Sequence, residues 1–301
     1  MSDIIPYGRQ EITEEDISAV VLALKGDYLT QGPKVAEFEK KFARKIGTKY
    51  ACAVSSGTAG LHLSLLACGI GAGDEVITTP NTFIGTAGAI VMAGARPVFV
   101  DVGDDYNLDS KKLEAAITNR TKAIIPVHLT GMPAEMNAIL EISEKFGIAV
   151  VEDCAQAIGA NYEGRSVGSM GIAGCFSLHP LKNLGVQGDG GAITTNDFEL
   201  YNKIRLYRSH GLKNRDESVF WGINSRLDTI QAAIANIKLR LLPEYTARFQ
   251  EIAHRYDEGL QGLFRSGTLR LPLRFKNRTG VYHNYVIRVT NRISMQQFLL
   301  S

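Results

Sequence analysis

Three stretches decide how this chain reads: Ala149-Val150-Val151-Glu152-Asp153, Cys175-Phe176-Ser177-Leu178-His179-Pro180-Leu181-Lys182-Asn183 and Gly188-Asp189-Gly190-Gly191-Ala192-Ile193-Thr194-Thr195. Each holds an apolar run of strand length. The first run ends in two acids, and the second leads into a turn carrying Lys182. The third follows a glycine-rich turn. The runs are nearly continuous in small and branched apolar residues rather than alternating, as expected of strands covered on both faces. The loop joining the second and third is too short for a crossover helix, so at least one of these two strands should run antiparallel.

Working outward, similar runs recur at Tyr50–Ser55, Glu75–Thr79, Pro97–Val102 and Ala123–His128. Between them lie segments with helical apolar spacing: Leu61–Cys68, Thr82–Ala93, Leu113–Ile117 and Glu135–Phe146. Strands alternating with helices predict an α/β fold with a mostly parallel, seven-stranded sheet. Two helix patterns precede it, Glu14–Lys25 and Val35–Ile46, and a long amphipathic one, Leu227–Phe249, follows. Pro243 is expected to bend or end that helix. Farther on, Tyr282–Val289 alternates like a half-exposed strand, and Ser294–Leu300 begins a helix that stops in mid-pattern at Ser301. The expected division is a large domain over 1–245 and the start of a small α+β domain over 246–301, apparently cut off.

With 301 residues, 45% hydrophobic and 21% charged, the composition is that of a soluble globular protein. A net charge of +2 gives no reason to invoke nucleic acid or a membrane surface. No apolar run approaches the ~18 residues of a membrane span, and Met1–Pro6 lacks a secretion pattern. The four cysteines, Cys52, Cys68, Cys154 and Cys175, show no Cys-x-x-Cys spacing. They read as reduced thiols in a cytoplasmic protein, with neither a disulfide framework nor a metal site.

Ligands of open α/β sheets collect at the carboxyl ends of the parallel strands, so those ends hold the candidates. The first run leads through Ser55-Ser56-Gly57-Thr58 into a helix, which reads as a Ser/Thr cap or as an anion site. After the second, Phe83 suits either the core or the face of a planar ring. Asp153 ends the fifth run, either as a helix cap or as the partner of a buried cation, with Gln156 one turn on. Ser177 and Lys182 follow on the sixth, with His179 between them. An amine, a carboxylate, hydroxyls and an anion nest on one sheet edge suit pyridoxal 5'-phosphate. That cofactor's aldehyde needs an amine, its ring nitrogen a carboxylate and its phosphate hydroxyls and N–H groups.

The ordered residues also carry a family resemblance. From about Tyr7 to its end the chain resembles the DegT/StrS-type aminotransferases, pyridoxal-phosphate enzymes that aminate nucleotide-linked keto-sugars. The likeness rests on Leu29–Pro33 with Phe38-Glu39, Ser56–Ala59, Gly73–Ile77, Thr82-Phe83, Pro97–Asp101 and Val127–Gly131. It continues in Glu152–Ala157, Phe176-Ser177, Lys182, Gly188–Gly191, His210-Gly211 and Asn224–Leu227. Gly60 stands where alanine is usual, and the family's C-terminal domain extends past the equivalent of Ser301.

The resemblance implies an aspartate-aminotransferase-like large domain. It implies Lys182 as the Schiff-base lysine, Asp153 at the ring nitrogen, Gln156 at the ring oxygen and Phe83 on the ring face. Gly57, Thr58 and Ser177 would receive the phosphate, and Asn224 would serve the phosphate of a neighbouring subunit in a homodimer with shared sites. The implied reaction is ping-pong transamination from glutamate to a keto-sugar. The alternatives are a sugar dehydratase of the same family, in which histidine replaces the lysine, and a truncated, non-catalytic binding or regulatory protein.

Overall fold

Seven apolar runs pair into one sheet: β1 (Tyr50–Val54), β2 (Glu75–Thr78), β3 (Arg96–Phe99), β4 (Thr121–Ile124), β5 (Ala149–Asp153), β6 (Ala173–Ser177) and β7 (Gly191–Thr195). The computed structural model describes residues 8–300; the stretch Met1–Pro6, Tyr7 and Ser301 lie outside the described residues. The strand order is β1-β7-β6-β5-β4-β2-β3. Every neighbouring pair is parallel except the two made by β7, which is antiparallel to both β1 and β6. The short loop before β7 therefore returns the chain directly, as its length requires.

Although the strands are mostly apolar, their side chains still alternate between two cores. Ala51, Ala53, Ile124, Val150 and Phe176 face α2 (Pro33–Ile46) and the long helix α7 (Thr229–Gly259). Cys52, Val54, Ala123, Val151 and Cys175 face the opposite layer. That layer is built from α3 (Gly57–Ala67), α4 (Ile84–Met92) and α6 (Phe198–Tyr207). Helix α5 (Met136–Phe146) covers the first face with Met136 and Ile139. Both faces of the central strands are thus dry, which accounts for their apolar runs, while the edge strand β3 stays partly exposed. The cysteines are unpaired, and burial pushes the Cys52 thiol up to about 12.

Two elements depart from their expected bounds. Helix α7 does not end at Pro243 or at Phe249 but continues to Gly259. An interior proline costs about 3 kcal/mol. The packing of α1 (Glu14–Leu24) and α2 against α7 opposes that cost. The buried pair Lys238 Nζ to Asp16 Oδ2, at 2.8 Å, locks α1 to α7.

The expected strand Tyr282–Val289 shrinks to Arg288–Val289, which pairs with Leu269–Arg270. Upstream, the backbone of Val281 is already engaged with loops of the large sheet: its N–H donates to Gly131 O at 3.0 Å, and its carbonyl accepts from Asn183 Nδ2 at 3.1 Å. Tyr282 then adopts φ 50°, which ends extended geometry. Arg278–Thr279 instead joins a satellite sheet with Asn161–Tyr162 and Arg165–Ser166.

Candidate active site

Register brings the first group of candidates together. Gly191 of β7 lies opposite Val54 of β1 on one side and Ser177 of β6 on the other. The ends of β1 and β6 therefore converge on one glycine. A Cβ on Gly191 would sit 2.4 Å from the Ser56 carbonyl carbon and 2.8 Å from Gly57 N. One on Gly57 would meet Ser177 Cβ at 3.0 Å. Only glycines allow this approach. Ser56 caps α3 by accepting from Ala59 N at 3.1 Å. The free N–H groups of the helix's first turn and its positive dipole end remain available to an anion beside Thr58 and Ser177. Gly85, in the first turn of α4, packs so close that its Cβ would lie 2.6 Å from Thr58 Oγ1.

Next to this cradle stands Asp153, buried at the end of β5. Its Oδ2 accepts from Thr86 Oγ1 at 2.7 Å, and its Oδ1 from Ala155 N at 3.1 Å. Thr86 is in turn held by Thr82 at 2.8 Å. Both donors to Asp153 are neutral, and burial raises its pKa against their pull. Burial likewise lowers the pKa of Lys182, while the charge of Asp153 opposes that shift. Desolvation thus favours an uncharged amine and leaves the carboxylate in need of a cation. Gln156 accepts from Thr130 N at 2.7 Å through its amide oxygen, so its NH₂ end is left to donate. A cleft of about 340 Å³ is lined by Gly57, Thr58, Phe83, Asp153, Gln156, Ser177 and Lys182. Its size is within the range of small-molecule sites.

Behind Asp153, on the opposite face of β5, Glu152 is wholly buried. Its carboxylate accepts from Gly168 N, Met170 N and Gly171 N, each at 2.8 Å, and faces His128 Nε2 at 3.1 Å. His128 Nδ1 accepts from Ala134 N at 3.0 Å, which assigns the ring proton to Nε2. Burial works to raise the Glu152 pKa, but the His128 contact and the backbone N–H groups outweigh it and hold the carboxyl below its ordinary range. Cys154 completes a His-Cys-Glu trio of the kind that can bind a metal. In this trio the histidine and carboxylate are already engaged as hydrogen-bond partners.

The model of the DegT/DnrJ/EryC1/StrS aminotransferase family matches residues 10–301. The chain belongs to this family. A "Pleiotropic regulatory protein" of Geobacillus stearothermophilus is 44% identical over 89% of this chain and 72% of its own length. The UDP-2-acetamido-2-deoxy-3-oxo-D-glucuronate aminotransferase of Pseudomonas aeruginosa is 44% identical over 91% of this chain and 75% of its own. Among solved structures, NtdA from Bacillus subtilis with its cofactor PMP bound aligns at TM-score 0.87 and 32% identity, covering 95% of this chain and 66% of that one. The chain spans about three quarters of the length of these curated relatives.

In this aminotransferase chain the seven residues named from the sequence line one cleft, and Asn224 does not. Asn224 is exposed on the loop before α7, where its Oδ1 accepts from Arg226 Nε at 3.0 Å. Sequence reading missed Thr86, the hydroxyl donor to Asp153. Its spacing from Thr82, one helical turn, was the available signal. It also missed the Glu152–His128 pair, because adjacent acids give no sign of which face each takes. A larger groove of about 1230 Å³ runs between α1, α2 and α7. It lies away from the strand ends and does not include Lys182 or Asp153, so the chemistry favours the smaller cleft.

Glu152 generates a pH prediction. Its folded-state pKa lies below the ordinary 4.5, so the contact contributes fully above that value and is lost as pH falls through the folded value. In cofactor-free protein, Glu152→Gln is expected to cost about 1–3 kcal/mol at neutral pH, leaving N–H donors poorly matched. That gap should narrow on acidification below about 4.5. Asp153 shifts the other way, but it is common to both proteins and cancels in the difference. Urea titrations across pH check this; equal stabilities at neutral pH would contradict it.

Proposed function

We propose that this chain is a pyridoxal 5'-phosphate-dependent transaminase that passes an amino group from glutamate to a nucleotide-linked keto-sugar. One observation carries the reading: Lys182, its pKa lowered by burial, shares a cleft with buried Asp153 and with the glycine-tight cradle at Gly57, Thr58 and Ser177. The UDP-linked 3-oxo sugar in the Pseudomonas relative's name supports the substrate class. PMP in NtdA, the amine form of the same cofactor, supports the cofactor. The intact set of Lys182, Asp153 and Thr58 favours catalysis over a purely regulatory role, and lysine rather than histidine at 182 favours transamination over dehydration.

When bound, the cofactor supplies an aldehyde to carry the amino group and a ring that draws electrons from the carbon losing its proton. Thr58, Ser177 and the α3 N–H groups would hold its phosphate, Asp153 its ring nitrogen, Gln156 its ring oxygen and Phe83 its face. Thr86 and Ala155 aim the Asp153 carboxylate. Lys182, as a free amine, holds and moves a proton at Nζ; burial makes the ammonium costly and keeps the neutral form accessible. The exposure of Asn224, outside the cleft of its own subunit, supports a homodimer in which it serves the partner site. The unpaired cysteines support a cytoplasmic setting.

Cofactor-loaded protein mixed with glutamate is expected to release one equivalent of 2-oxoglutarate per site before any sugar is added. Lys182→Ala should release none. Asp153→Asn should slow the reaction on the order of 10²–10³-fold, the scale of a lost electrostatic partner. Near-native rates in either variant would sink the assignment.

The shared site is checked by mixing subunits. Asn224→Ala and Lys182→Ala homodimers are each expected to be severely impaired, whereas mixed dimers regain activity through one undamaged site. Heterodimers that form yet stay at parental activity would rule out the cross-subunit role of Asn224.

A further inference from the structure

His179 and Lys182 stand at the two ends of one turn, closed by Lys182 N donating to His179 O at 2.8 Å. The α-carbons at the ends of such a turn lie under about 7 Å apart. Gly185 packs against the turn: a Cβ there would sit 2.4 Å from Pro180 O and 3.0 Å from His179 O. Both side chains line the cleft, together with Ser177 and Asp153. The backbone also settles which ring nitrogen of His179 carries the proton. Nδ1 accepts from Leu181 N at 3.3 Å, which leaves Nε2–H as the ring's donor. The N–H of His179 donates to Ser177 Oγ at 3.3 Å, so that hydroxyl keeps its own proton for a ligand.

We propose that His179 receives the α-carboxylate of the amino donor through Nε2–H, and so selects α-amino acids for the first half of the reaction. The inference rests on the transaminase reading, with Lys182 as the reactive amine. An α-amino acid carries its carboxylate one bond from the carbon whose proton Lys182 moves. A carboxylate leaving water needs a hydrogen-bond donor in the site. Among the described residues lining the cleft there is no arginine, and its basic side chains are Lys182 and His179. Lys182 is committed to the proton, which leaves the imidazole at the other end of the turn for the carboxylate. The bond would have a charged acceptor, the stronger class of hydrogen bond. Asp189 also lines the cleft, but it is exposed, and solvent screens its repulsion of an incoming anion.

Calorimetry on cofactor-loaded protein tests this with 2-methylglutamate, which has no α-hydrogen to lose and therefore reports binding alone. His179→Ala is expected to raise its Kd on the order of 10–100-fold, the scale of a lost hydrogen bond to a charged group. His179→Phe, which keeps a ring and removes the N–H, should weaken binding equally and serves if the alanine variant does not fold. His179→Gln carries an amide N–H in place of the ring's and should recover most of the loss. A second ligand, γ-aminobutyrate, has an amine and a carboxylate but none on the α-carbon; its Kd should stay at the native value in all four proteins. Equal losses for both ligands would mean a merely structural role and would overturn the proposal. Native affinity for 2-methylglutamate in His179→Ala or His179→Phe would overturn it while leaving the transaminase reading intact. Native protein that binds the cofactor but not 2-methylglutamate would defeat the glutamate-donor reading itself, and this proposal with it.

Discussion

Two carboxylates stand side by side at the end of β5, and strand alternation gives them opposite fates. Glu152 turns to the closed face, where three backbone N–H groups and His128 saturate it. Asp153 turns to the open end with only neutral donors, Thr86 and Ala155, and the Lys182 amine shares its cleft. A buried anion is tolerable only when partnered. The first acid spends its charge on structure, tying the loop around His128 to the turns at Gly168 and Gly171. The second keeps its charge available to a ligand. Much of the site follows from that asymmetry: α4 supplies Thr86, and the loop after β4 orients Gln156 through Thr130.

The cradle depends on one strand running the wrong way. Because β7 enters antiparallel between β1 and β6, Gly191 meets both strand ends, and its missing side chain lets the α3 N-terminus close on Ser177. A helix N-terminus, hydroxyls, a buried acid and an amine then fall within one cleft, although they come from three different strand ends.

Much of this was legible in the sequence. Continuous apolar runs marked a doubly covered sheet, and the short loop before Gly191 required an antiparallel strand. Residues at the strand ends led to Asp153, Lys182, Thr58 and Ser177. What stayed hidden was decided by contacts far apart in the chain. Pro243 signals a helix end locally, yet the packing of α7 carries the helix past it. Tyr282–Val289 alternates like a strand, yet its entry is clamped by Asn183 and Gly131, so it cannot form a ladder there. Glu152 and Asp153 look equivalent in sequence, and only the fold distinguishes them.

The central claim is that Lys182 is the amine to which the cofactor attaches. The direct measurement is borohydride reduction of protein loaded with pyridoxal 5'-phosphate, followed by proteolysis and mass spectrometry of every lysine peptide. The expected result is a single pyridoxyl adduct on Lys182. An adduct on another lysine, or none on a protein that retains the cofactor, would contradict the claim.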